Sequence, residues 1–169
     1  LQAREGRYFM HEHPAHATSW AEAVVRRVMN MPGVSVALGD QCQYGAGDKL
    51  GNPLRKPTRF TTNGPCIAAA LSKRCRGRGG QCSRRTGGQH ALCNGERAKA
   101  AAIYPFALCR AILTGFRDQM LNDGRLLPGS VGLNCVMLDD SDGCLSRSHW
   151  RAGGADGCIL KFQIEQEEK

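Results

Sequence analysis

Gly6 to Trp20, GRYFMHEHPAHATSW, carries the reading of the fold, together with WAEAVVRRVMNM, which it leads into, and VSVAL at Val34 to Leu38. Arg7 to His11 is β-prone, with two aromatics, and Pro14 ends it. Thr18 and Ser19 offer an N-cap for a helix in which Trp20, Ala23, Val24 and Val28 recur at helical spacing. Pro32-Gly33 stops the helix, and Val34 to Leu38 alternates as a strand does. Strand, helix and strand joined by short connections predict a crossover between parallel strands.

Downstream, Arg59 to Thr62 reads as a further strand. Pro65 opens a helix through CIAAALSKRC, and Pro105 starts another, PFALCRAILTGFRDQML, which Gly124 ends. The expected fold class is therefore α/β, a partial parallel sheet with helices on its faces. The expected division is residues 1–125 as a partial α/β domain, with 76–95 as a basic Gly/Arg/Cys loop, and 126–169 as an irregular Gly-rich tail or linker. Asp139 to Gly143 has calcium-loop character but lacks the closing Glu, so it reads as a turn.

Composition narrows the function classes. The chain has 169 residues, a net charge of +8 and 41% hydrophobic residues. No apolar run approaches the roughly 18 residues of a membrane span, so no membrane partner is expected. Arg4, Glu5 and Arg7 exclude a secretory core at the start. Between Arg55 and Arg97 the basic residues face a single acid, Glu96. That imbalance predicts an anionic partner, most simply nucleic acid. Arg55, Lys56, Arg59, Arg74, Arg76 and Arg78 are the candidate contacts. Pro57 biases Lys56 to an extended conformation that suits phosphate contact.

The nine cysteines are odd in number and not spaced like a secreted scaffold. Cys66 and Cys109 sit in apolar segments and read as buried hydrophobes. The chain is thus expected to be reduced and intracellular, nuclear or cytoplasmic. Cys75, Cys82, His90 and Cys93 form a candidate zinc set that would order the loop; the other reading is a basic loop with incidental thiols. Glu12, at a strand end before a proline, can hydrogen-bond a base or move a proton, or it can be a plain strand terminus. His11 and His13 share one strand face and form a weaker candidate metal pair.

FMHEHP, SW, DQCQYG, KPTRFTTN and YP-x-x-LC-x-AI, taken as a group, resemble a segment of copia-type retroelement polyproteins, over about Gly6 to Arg125. More distantly, the block is similar to the C-terminal half of the DNA cytosine-5 methyltransferase catalytic domain. That resemblance implies a Rossmann-like half, with Glu12 holding and protonating the target cytosine, and Lys56 with Arg55 or Arg59 near its phosphate. The family's Pro-Cys nucleophile and glycine-rich cofactor loop would precede Glu12, and neither is present here. Cys66 follows a proline but in the wrong order, and His13 replaces the expected Asn. S-adenosylmethionine would bind only with an upstream half. The expectation is a mobile-element-derived, methyltransferase-like fragment, non-catalytic alone, that binds nucleic acid weakly. The alternatives are a zinc- and/or nucleic-acid-binding module built on the Arg/Gly/Cys loop, and a degraded coding remnant.

Overall fold

The computed structural model of the protein describes residues 3–128. Residues 129–169, with nearly all of the expected tail and the Asp139 to Gly143 turn, lie outside the described residues. Three strands, β1 (Met10–Pro14), β2 (Ser35–Asp40) and β3 (Pro57–Thr62), form one sheet in the order β1-β3-β2. Both outer strands pair antiparallel with β3. This overturns the expected partial parallel sheet and its Rossmann-like half. β1 and β2 do run in the same direction, as strand-helix-strand requires. They are not neighbours, because β3 enters between them and takes the backbone hydrogen bonds of both.

Alternation along the strands sorts side chains onto two faces. Glu12, Phe60 and Ala37 stand in register on the inner face. His13, Arg59 and Leu38 stand in register on the outer face. The inner face is covered by α2 (Pro65–Ala70) and α4 (Phe106–Asn122). Phe60, Ala37, Tyr44, Ile67, Leu71, Leu108 and Ile112 make the central core. Each large apolar side chain fully buried there contributes about 1.5–3 kcal/mol relative to exposure.

Close approach of the layers depends on two glycines. A Cβ at Gly39 would meet the Leu71 carbonyl oxygen at 2.6 Å, and one at Gly115 would meet the Ile67 Cα at 2.9 Å. Proline at the first position opens α2 as expected. The helix stops at Ala70 because the Tyr44 hydroxyl donates to the Ala70 carbonyl and accepts from the Lys73 N–H. The chain then turns back along the end of β2, where Asp40 N–H donates to the Lys73 carbonyl.

The expected crossover helix is present but shorter, and it buries no residue. Thr18–Ala21 is a 3-10 turn, and α1 (Ala23–Met29) starts after it without a side-chain cap. No residue of α1 is buried, and Val24 is 70% exposed. Trp20 alone of that periodic set is buried, at the outer face of the sheet. A further short helix, α3 (Gly95–Ala100), precedes α4.

Candidate metal centre

The DQCQYG segment follows β2 directly and forms a 3-10 turn, Gln41–Tyr44, closed by Gly45 at φ +87°. A left-handed residue there favours glycine. The turn is buried, and its side chains have separate partners. Gln41 Nε2 donates to the Thr58 hydroxyl at 3.1 Å. Tyr44 caps α2. Cys42, fully buried, points away from the central core towards Cys75 and Cys82.

Cys42, Cys75, Cys82 and His90 converge so that one donor atom from each lies within 4.8 Å of all the others. Cys75 Sγ is 3.9 Å from Cys82 Sγ and 3.6 Å from His90 Nε2. A tetrahedral ion with bonds of about 2.0–2.3 Å needs donor separations of roughly 3.5–3.8 Å. The buried quartet can therefore hold a metal ion. Among the described residues it is the only such group of three or more donors.

Within the 76–95 loop, for which both a metal-ordered and a disordered form were expected, Gly80 to His90 is built around this centre. Cys82 N–H donates to the Gly88 carbonyl and His90 N–H to the Gly80 carbonyl, both at 2.8 Å, about an antiparallel bridge between Gln81 and Gln89. This narrow ribbon carries two donors on its two strands. Gly77 is required beside it, since a Cβ there would lie 1.8 Å from the Gln81 carbonyl oxygen.

Hydrogen bonds surround the sulfurs. Gln43 Nε2 donates to Cys42 and Cys82, each at 3.6 Å. Ser83 N–H and hydroxyl donate to Cys75, and Arg84 N–H donates to Cys82. Burial pushes the Cys75 thiol up, but the N–H groups of Ser83 and Gly77, the Ser83 hydroxyl and Cys82 together bring it down to about 6. Its thiolate, the form that binds metal, is accordingly favoured at neutral pH. Burial pushes Cys42 up to about 12; a bound cation would reverse that direction.

The other candidate residues are dispersed. Cys93 is not in the quartet; it packs beside Ala46, Leu54 and Ala101. Lys56 Nζ donates to the Ala101 carbonyl at 2.9 Å, at the end of α3. Glu12 faces inward, where its Oε2 accepts the Tyr104 hydroxyl at 2.5 Å and its Oε1 is buried without a partner. His11 and His13 lie on the outer face, their rings 5.2 and 6.2 Å from that of Trp20. The His11 pKa is lowered, by burial first and then by His13. Arg76 and Arg78 are exposed on the loop.

Arg55, Arg59 and Arg74 do come together. With Ala15, His16, Leu38 and Pro57 they line an open groove of about 480 Å³. Asp40, which sequence reasoning passed over as a site residue, is fully buried beside it. Cys42 was missed as a donor because it lies a strand and a helix upstream of Cys75; the one signal was a Cys in a polar turn at a strand end.

Comparison with protein families, with curated proteins and with solved structures gives no match to this chain.

Proposed function

We propose that this chain is a zinc-centred module that binds nucleic acid. The observation that carries the reading is the buried Cys42, Cys75, Cys82 and His90 quartet, with two donor separations near those of a tetrahedral site. Three thiolates and one imidazole are a donor set that suits zinc. All four positions come from the protein, which is the pattern of a structural rather than a catalytic site. The centre ties the 75–90 segment to the end of β2, and that segment belongs to the most basic part of the chain. A net charge of +8 supports a polyanionic partner. The methyltransferase resemblance implied a parallel sheet, so the antiparallel one lends it no support. Among the described residues no helix is long and apolar enough to cross a membrane.

The test is metal stoichiometry by atomic emission, with cobalt substitution read by its visible absorption. One zinc per chain is expected in the wild type and in Cys93→Ala, with loss in Cys42→Ala. A wild type without stoichiometric metal, or equal loss in both variants, refutes the assigned centre.

A further inference from the structure

We infer that the groove lined by Arg55, Arg59 and Arg74 binds the phosphodiester backbone of a nucleic acid, and that Asp40 couples this groove to the metal centre. The inference rests on the nucleic-acid reading above and gives it a location.

Arg74 is hydrogen-bonded to a neighbour, Arg55 lies within ion-pair distance of the same carboxylate, and Arg59 stacks on an aromatic ring. Arg74 Nε donates to Asp40 Oδ2 at 2.9 Å, and Arg55 Nε lies 3.7 Å from Asp40 Oδ1. Arg59 Cζ sits 5.0 Å from the centre of the Trp20 ring, and Trp20 is itself fixed by its Nε1–H bond to the Pro14 carbonyl at 2.8 Å. Both contacts to Asp40 run through Nε, which leaves the paired Nη groups of each fork for a ligand. Arginine forks of this kind match phosphate oxygens two at a time. Holding them in place beforehand lowers the ordering cost of binding. Asp40 offsets one of the three positive charges, so the groove stays cationic. Its other walls are the apolar Leu38, Pro57 and Ala15 and a single polar side chain, the exposed His16. Trp20 is buried under Arg59 and the two histidines and gives no open stacking surface. Contacts of this type fix a backbone and carry no sequence information.

Asp40 Oδ2 has a second partner. It accepts the Cys75 backbone N–H at 2.7 Å. One carboxylate oxygen thus holds a metal donor's backbone and the arginine next to it in sequence. Metal on Cys75 fixes the N–H that helps to orient Asp40, and Asp40 orients Arg74 and Arg55. Loss of metal frees the 75–90 segment and with it Arg74. Binding at the two sites is then linked and reciprocal, each favouring the other.

The experiment uses the zinc-loaded full chain with fluorescein-labelled 20-nucleotide single strands and duplexes of mixed sequence. Anisotropy is read across a KCl series. The wild type is expected to bind all sequences alike, with a salt-dependent affinity. Arg55→Gln, Arg59→Gln and Arg74→Gln should each flatten the slope of log affinity against log salt by about 0.7–0.9, and the triple variant by roughly two or more. Arg59→Lys keeps the charge and should keep the slope. Cobalt spectra identical to wild type show that a variant retains its fold. Arg55→Gln, which removes only the longer contact to Asp40, serves if the triple variant does not fold. Asp40 is a positioning residue. Chelation should weaken wild-type binding about tenfold or more, and in Asp40→Asn, which should still take up one zinc before chelation, that ratio should shrink towards one. A wild type that binds, with an unchanged slope in the groove variants, overturns the groove and leaves the module reading standing. A wild type with no salt-dependent binding overturns both. An unchanged chelation ratio in Asp40→Asn overturns the coupling.

Discussion

Gly115→Ala is a sign test of the packing between the two helices that cover the sheet. Gly115 is buried in the middle of α4, where glycine costs a helix about 1 kcal/mol relative to alanine. By propensity alone the substitution stabilises by that amount. The structure predicts the opposite. The new Cβ would lie 2.9 Å from Ile67 Cα, 3.0 Å from Ala70 Cβ and 3.1 Å from the Cys66 carbonyl oxygen. None of these is the free end of a flexible side chain, so α2 must move as a body. Moving it disturbs Ile67 and Leu71, which are buried among Leu108 and Ile112. It also stretches the bond in which the Cys66 N–H donates to Gln119 Oε1 at 2.8 Å. Overpacking of a tight contact costs typically about 1–3 kcal/mol, and weakening the bond to buried Gln119 adds about 1 kcal/mol. Set against the propensity gain, the net is a destabilisation of about 1–3 kcal/mol, or a midpoint lower by roughly 4 °C per kcal/mol. Urea unfolding of the protein, followed by circular dichroism, measures it. A variant as stable as wild type, or more stable, refutes the close packing of α2 on α4.

Two further predictions concern ionisable groups. Asp123 accepts hydrogen bonds from the Tyr8 hydroxyl, from Gln119 Nε2 and from Asn122 Nδ2. The Tyr8 bond first, then those from Gln119 and Asn122, and finally Arg125, hold its carboxyl below the ordinary value of 3.8. A depressed native pKa adds stability that is present above the unfolded value and is lost as pH falls through the folded one. The urea midpoint should therefore fall between pH 5 and pH 3, and fall less in Asp123→Asn; part of the fall persists because Asp48 is shifted in the same direction. An equal fall in both proteins contradicts this account. Tyr104→Phe removes the partner of Glu12 Oε2 and should destabilise by about 1–3 kcal/mol. A double-mutant cycle with Glu12→Gln should show coupling above about 0.5 kcal/mol, and simple additivity would disprove the contact.

The parts of the fold that local pattern controls were readable in the sequence. VSVAL alternates and RFTT is short and β-prone, and both are strands; the apolar spacing of FALCRAIL places Leu108 and Ile112 in the core. Strand neighbours were not readable. Period-2 alternation reports which face a residue takes and says nothing of which strand lies alongside, so the insertion of β3 between β1 and β2 left no mark. The candidate metal centre divides in the same way. Cys75, Cys82 and His90 were legible as donors on a Gly-rich loop, and Cys93 was the nearest remaining thiol in sequence. Cys42 is the nearest in space, because Asp40 draws residues 73–75 back along the end of β2 through its N–H and its carboxylate. The difference has a physical consequence. A site made from Cys75, Cys82, His90 and Cys93 would close the loop on itself and leave it independent of the sheet. With Cys42 as the fourth donor, a metal held there would cross-link the loop to the turn that follows β2. A cross-link between distant segments restricts the unfolded chain more than a local one does. On the proposed zinc reading, metal affinity would then enter the stability of the whole described fold, and the same cross-link would hold the basic groove framed by β2, β3 and Arg74.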